Sequence, residues 1–210
     1  MISGNIQNSL AVNGVWVSGG TTVNVNRNII YGFTADAIDA GTINGITVSG
    51  GDTVTLSRNK IYDLSSNSTA INSGGISGLF VFNVTGSVTN IINNTIGDLR
   101  TPLSGNSDAY RGISINTNTT SDINVYFNTI YLNSTSTGAN FGSTGIYHAF
   151  SSNPGIGKLD LRNNIITNLS TPTGTGITAL FRQYGASLNN YAATSNNNLY
   201  YAGTPGPKRV

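Results

Sequence analysis

The sequence predicts an all-β chain wound as a parallel β-solenoid, a right-handed parallel β-helix of about six coils, and three observations carry that reading. Strand-forming residues dominate the composition, two independent sequence columns recur together, and Gly-rich breaks separate short runs in which apolar and polar residues alternate. The 210 residues read as a single domain, 1–210, large enough to bury a continuous core without disulfides.

Asn, Thr, Ser and Gly supply most of the polar positions, only 9% of residues are charged, and glutamate is absent. Good helix formers are scarce, whereas β-branched Val, Ile and Thr carry the pattern, so strand is favoured almost everywhere. The 38% hydrophobic content, recurring in register, argues against disorder. A formal net charge of +2 spread over ten scattered Lys and Arg residues is too little basic surface for a nucleic-acid partner.

The first strand of each coil is announced by a Gly-apolar block: Gly14-Val15-Trp16-Val17, Gly45-Ile46-Thr47-Val48, Gly75-Ile76-Ser77-Gly78, Gly112-Ile113-Ser114-Ile115, Gly145-Ile146-Tyr147-His148 and Gly176-Ile177-Thr178-Ala179. Breaks such as Gly19-Gly20, Gly50-Gly51 and Asn153-Pro154-Gly155 end several of these strands.

A second block follows in every coil, of the form apolar-x-x-Asn-x-apolar. Its copies run Val25, Asn28, Ile30; Leu56, Asn59, Ile61; Ile91, Asn94, Ile96; Val125, Asn128, Ile130; Leu161, Asn164, Ile166; and the weaker Ser195, Asn198, Tyr200. Successive Asn positions are 31, 35, 34, 36 and 34 residues apart by subtraction, the spacing of one coil with two or three short strands. The Ile column is expected to be buried. The Asn column is expected to sit at a sharp bend, where Asn tolerates the left-handed conformation, with each amide hydrogen-bonding the Asn above and below.

The segments Asn163-Asn164-Ile165-Ile166, Thr144-Gly145-Ile146-Tyr147-His148 and 191–206 resemble the right-handed parallel β-helix repeats of large secreted or cell-surface proteins of Bacteroidetes-type bacteria. That resemblance covers most of the chain and its motifs define a scaffold. It implies export, surface attachment and further domains of a longer parent chain, in keeping with a repeat that starts and stops within itself. The N-terminus carries no secretion signal.

Each repeat is longer than a minimal coil, and the surplus falls at 34–44, 65–74, 100–111, 133–144 and 170–175. Stacked coils should bring these loops into one Ser/Thr/Asn-rich wall. Beside it runs an outward column, three positions after the Asn, that reads Tyr31, Tyr62, Gly97, Tyr131, Thr167, Tyr201. Tyr31, Tyr62 and Tyr131 are the candidate platform for a polysaccharide or cell-surface glycan, their rings packing on sugar faces and their hydroxyls bonding sugar oxygens.

The next column places Asp63 and Asp98 on adjacent coils. Neighbouring rungs are ~4.8 Å apart, near the ~5 Å carboxylate separation of retaining glycosidases, and a carboxylate pair also suits calcium. Two readings follow. One is a non-catalytic extracellular spacer or adhesive, glycan-binding module; the other is a fragment of a glycoside hydrolase or lyase with Asp63 and Asp98 at its site. Arg27 and Arg58 share a column and could hold an acidic sugar, but no compact group of acids with a basic residue, as a lyase needs, is visible.

His148, the only histidine, stands in a column with Val17, Val48 and Ile115 and reads as a core residue. Alone it cannot build a His-based metal cluster, and no metal or cofactor is expected. The absence of any apolar run of ~20 residues predicts no membrane-spanning helix. A Thr array for ice binding is disfavoured, because the outward column reads Trp16, Thr47, Ser77, Ser114, Tyr147, Thr178.

Overall fold

The computed structural model describes residues 1–6, 11–35, 41–72, 74–82, 86–116, 120–149, 158–185 and 188–210. Three parallel sheets wrap a common core, as the repeat predicts. The first stacks Val12–Ser18, Ile43–Gly50, Ile76–Phe82, Tyr110–Asn116, Ser143–His148 and Thr178–Gln183. The second stacks Thr22–Asn26, Thr53–Ser57, Val88–Ile92, Asp122–Tyr126 and Lys158–Arg162. The third has nine short strands, running from Ile2–Ile6 and Ile29–Ala35 to Ile165–Asn168 and Leu199–Tyr201.

Five turns are three-sided. In the sixth the first and third sheets continue as strands, and the second is carried on by the single bridges Leu159 to Tyr191 and Arg162 to Asn196. The tail folds back there: the Val210 N–H donates to the Thr178 carbonyl at 2.9 Å and the Leu180 N–H donates to the Val210 carbonyl at 2.8 Å. It thereby lies along the last strand of the first sheet.

Register follows the columns. Ile30, Ile61, Ile96, Ile130 and Ile166 are partners on successive rungs and all are fully buried. Opposite them the first sheet needs space, and glycine provides it: a Cβ on Gly45, Gly78, Gly112 or Gly145 would come within 2.4–2.6 Å of the Cγ2 of Ile61, Ile96, Ile130 or Ile166 respectively.

This corrects the sequence alignment of the first block. Ile46 pairs with Leu79 and Leu79 with Ile113, so the third coil contributes Gly78 rather than Gly75. In the sixth, Ile146 pairs with Phe181, so Leu180 rather than Gly176 stands there. Gly75-Ile76 copies the motif three residues too early, and spacing alone does not separate the two. The outward column consequently reads Trp16, Thr47, Phe80, Ser114, Tyr147, Arg182.

The Asn ladder is present and continuous. The Oδ1 of Asn94 accepts from both the backbone N–H and the Nδ2 of Asn59, each at 3.0 Å. Its own Nδ2 donates to Asn128 Oδ1 at 3.0 Å and to the Leu56 carbonyl at 2.9 Å. Asn28, Asn128, Asn164 and Asn198 extend the chain of amides in both directions. The left-handed residue of the bend, however, is the one before the ladder: Arg27, Arg58, Asn93, Phe127, Asn163 and Asn197 have φ between 53° and 58°. The ladder amides hydrogen-bond the carbonyls that this tight bend turns inward.

Among the described residues no helix is long and apolar enough to cross a membrane.

Candidate functional site

Asp63 and Asp98 have φ of 56° and 51°, and Gly32 in the same column has 73°. The kinks at Asp63 and Asp98 break the third-sheet strand of the second and third coils, the one at Gly32 lies within the continuous Ile29–Ala35, and all three let Phe33, Leu64 and Leu99 re-enter the core. Beyond them the strand is unbroken, and Leu132 and Asn168 turn inward, both fully buried. The acidic column therefore ends at Asp98.

The two carboxylates meet, and a third residue joins them. Arg100 donates Nη2–H to Asp63 and Nη1–H to Asp98, bridging adjacent coils. Partial burial pulls the Arg100 pKa down, but the bonds and charges of Asp63 and Asp98 outweigh it and raise it. Sequence reasoning placed Arg100 at the start of a loop; its i, i+2 relation to Asp98, which sets both on one face of an extended chain, is the signal that finds it. One oxygen of each acid is engaged by the guanidinium and all three side chains remain 37–49% exposed, a solvated ion triad.

Tyr31 and Tyr62 stack on one another, with ring centroids 5.2 Å apart and planes 5° apart. The rings stand one above the other along the solenoid rather than side by side as a flat platform. Lys60 Nζ lies 4.8 Å from the Tyr62 ring centroid. Tyr131 stands two rungs further on, with Gly97 between, and is exposed. This face thus sets phenol rings beside an Asp-Arg-Asp triad, with the Tyr31 hydroxyl donating to Met1 Sδ at 3.0 Å.

The loops form the expected wall, apart from 36–40 and 73, which lie outside the described residues. Hydrogen bonds link them coil to coil: the Thr137 N–H donates to the Pro102 carbonyl at 2.9 Å, and Thr173 Oγ1 donates to the Gly138 carbonyl at 2.8 Å. Buried Asp108 pins one loop to the first sheet, accepting from Arg111 Nη2 at 2.7 Å and Thr144 Oγ1 at 2.7 Å. The Arg111 guanidinium carbon sits 3.4 Å from the Tyr147 ring centroid. His148 is fully buried, while Arg27 and Arg58 occupy the bend.

A second polar cluster, which sequence reasoning missed, lies on the outer face of the second sheet around a cavity of about 200 Å³. Its centre is Asp160, which accepts from Arg162, from Tyr126 Oη at 2.9 Å and from Thr194 Oγ1 at 3.0 Å. Burial acts to raise the Asp160 pKa, but these bonds win and hold it below the ordinary carboxylate range. Every oxygen of Asp160 is thereby occupied within the fold. Among the described residues no group of three potential metal-ligating side chains occurs.

No family model matches the chain, and no curated protein or solved structure matches it either.

Proposed function

We propose that this chain is a non-catalytic extracellular solenoid module, a rigid spacer with an adhesive, glycan-binding side, of the kind found in large secreted proteins of Bacteroidetes-type bacteria. The observation that supports it best is the Arg100 bridge. A retaining glycosidase needs one carboxyl group carrying a proton and another free to attack the sugar, and the clamp occupies both groups in an open, solvated setting. The continuous amide ladder supplies a stiff rod, and the face carrying Tyr31, Tyr62, Tyr131, Asp63 and Asp98 supplies hydroxyl and charged groups suited to sugar hydroxyls.

A screen of the protein against immobilised glycans, run with calcium and with a chelator and followed by assay for released reducing ends, tests the reading. Binding without turnover is expected, and unchanged by the chelator, since the carboxylate pair already has its cation in Arg100. Polysaccharide cleavage that disappears in both Asp63→Asn and Asp98→Asn would establish the hydrolase instead. Absence of binding to every glycan would leave the spacer alone.

A further inference from the structure

The corrected register of the first sheet exposes a feature on another side of the solenoid. Trp16, Thr47 and Phe80 are partners on three successive rungs. The middle residue is small and its neighbours are large, so two aromatic side chains flank a notch. Two rungs span roughly 9–10 Å, which accommodates one saturated six-membered ring with a van der Waals contact of ~3.5–4.0 Å on each side.

The notch encloses about 250 Å³ and is lined by Trp16, Phe80 and Phe82 as walls, with Asn13, Asn44 and Thr47 among its polar groups. Its walls are fixed. Trp16 is 62% exposed, yet its Nε1–H donates to Ser49 Oγ at 2.7 Å, and Phe80 stacks on Phe82 with centroids 5.1 Å apart. Its polar floor is fixed too: Asn13 Oδ1 accepts from Asn44 Nδ2 at 3.1 Å and from Thr47 Oγ1. Among the described residues that network leaves the Asn13 Nδ2 hydrogens and the Asn44 Oδ1 for a ligand. No charged side chain among the described residues lines the cavity.

We infer that this notch binds a pyranose ring of a neutral saccharide, the aromatic walls covering its C–H faces and the Asn13–Asn44 amides meeting its hydroxyls. Apolar walls with a few placed polar groups are the general make-up of a small-molecule site. The uncharged lining formed by the described residues selects against acidic or aminated sugars, for which desolvation would go uncompensated. This site deepens the glycan-binding reading and rests on it, but it lies on a different sheet from Tyr31, Tyr62 and Asp63.

Trp16 is the only tryptophan in the chain, so its emission reports this notch alone. The full chain is titrated with cellohexaose, xylohexaose and mannohexaose in turn, followed by Trp fluorescence and by calorimetry. At least one is expected to give a saturable emission change with matching heat. Removing one ring face by Trp16→Ala should weaken the calorimetric affinity roughly tenfold or more, and Thr47→Phe, which fills the notch, should abolish it. Circular dichroism confirms that each variant is folded. Calorimetric binding that survives Trp16→Ala and is lost in the Tyr31→Ala, Tyr62→Ala double variant would sink the notch while sparing the glycan reading. No heat with any saccharide, here or on the immobilised glycans, would remove both.

Discussion

Asn94 shows how much of the rod depends on one side chain. It is 1% exposed, and replacing it by alanine would orphan the backbone N–H of Asn59 and take a donor from the carbonyl of Leu56. Each buried group left without a partner costs about 1–3 kcal/mol. Asn94→Ala is therefore expected to lose on the order of 2–4 kcal/mol in urea unfolding, and Asn28→Ala, on a half-buried rung, clearly less. Tyr110 gives a pH signature. Burial pushes its phenol up to about 12, against hydrogen bonds that include Ser170 at 2.5 Å, whereas an unfolded tyrosine loses its proton near 10. Between pH ~10 and ~12 the unfolded state binds fewer protons, so stability falls as pH rises through that window and is whole below it. The loss should reach roughly 2–3 kcal/mol. Urea midpoints measured from pH 8 to 12 should show this fall, and Tyr110→Phe should lessen it, leaving the part due to Tyr200, whose phenol burial also pushes up to about 12.

At the scale of the element, the first-sheet strand is shaped by what the third sheet sends across the core. A Cβ on Gly78 would meet Ile96 Cγ2 at 2.4 Å and the Gly112 carbonyl at 2.7 Å, an overpacking that costs about 1–3 kcal/mol. If Ile96 is the reason for the glycine, Gly78→Ala and Ile96→Ala together should cost less than their sum, by about 0.5–3 kcal/mol for residues in contact. Strict additivity in that double-mutant cycle would refute the pairing. The same strand shows where the sequence was legible. The Ile and Asn columns could be read because each position admits one residue type: a fully buried branched side chain, and an amide that both donates and accepts along the stack. The glycine column could not, since Gly75-Ile76 and Gly78-Leu79 satisfy the same pattern and only backbone pairing chooses Gly78. That slip of three residues put Ser77 where Phe80 stands and hid the aromatic notch. Arg100 was lost for a related reason: its partners are set by a kink at Asp98, which no periodicity reports.

For the molecule as a whole, every strand pairing described joins neighbouring coils, so stability should behave as a row of interfaces, and a residue's position along the rod should decide what it is worth. Ile96 is sealed between Ile61 and Ile130. Tyr200 occupies the same column with Ile166 on one side, and it is 41% exposed. Truncating Ile96 opens a cavity that the flanking coils cannot close, with an expected cost of about 2–5 kcal/mol. Truncating Tyr200 should cost well under half of that, because water already reaches it and only one interface is disturbed. Amide exchange should grade the same way. Protection is expected to be greatest in Ile76–Phe82, Val88–Ile92 and Tyr110–Asn116 and to fall toward Leu199–Tyr201, whose three residues are all exposed and whose outer edge pairs with no strand among the described residues. Equal losses from Ile96→Ala and Tyr200→Ala, with uniform exchange along the rod, would mean that the chain unfolds as one globular unit and that the nearest-neighbour description fails.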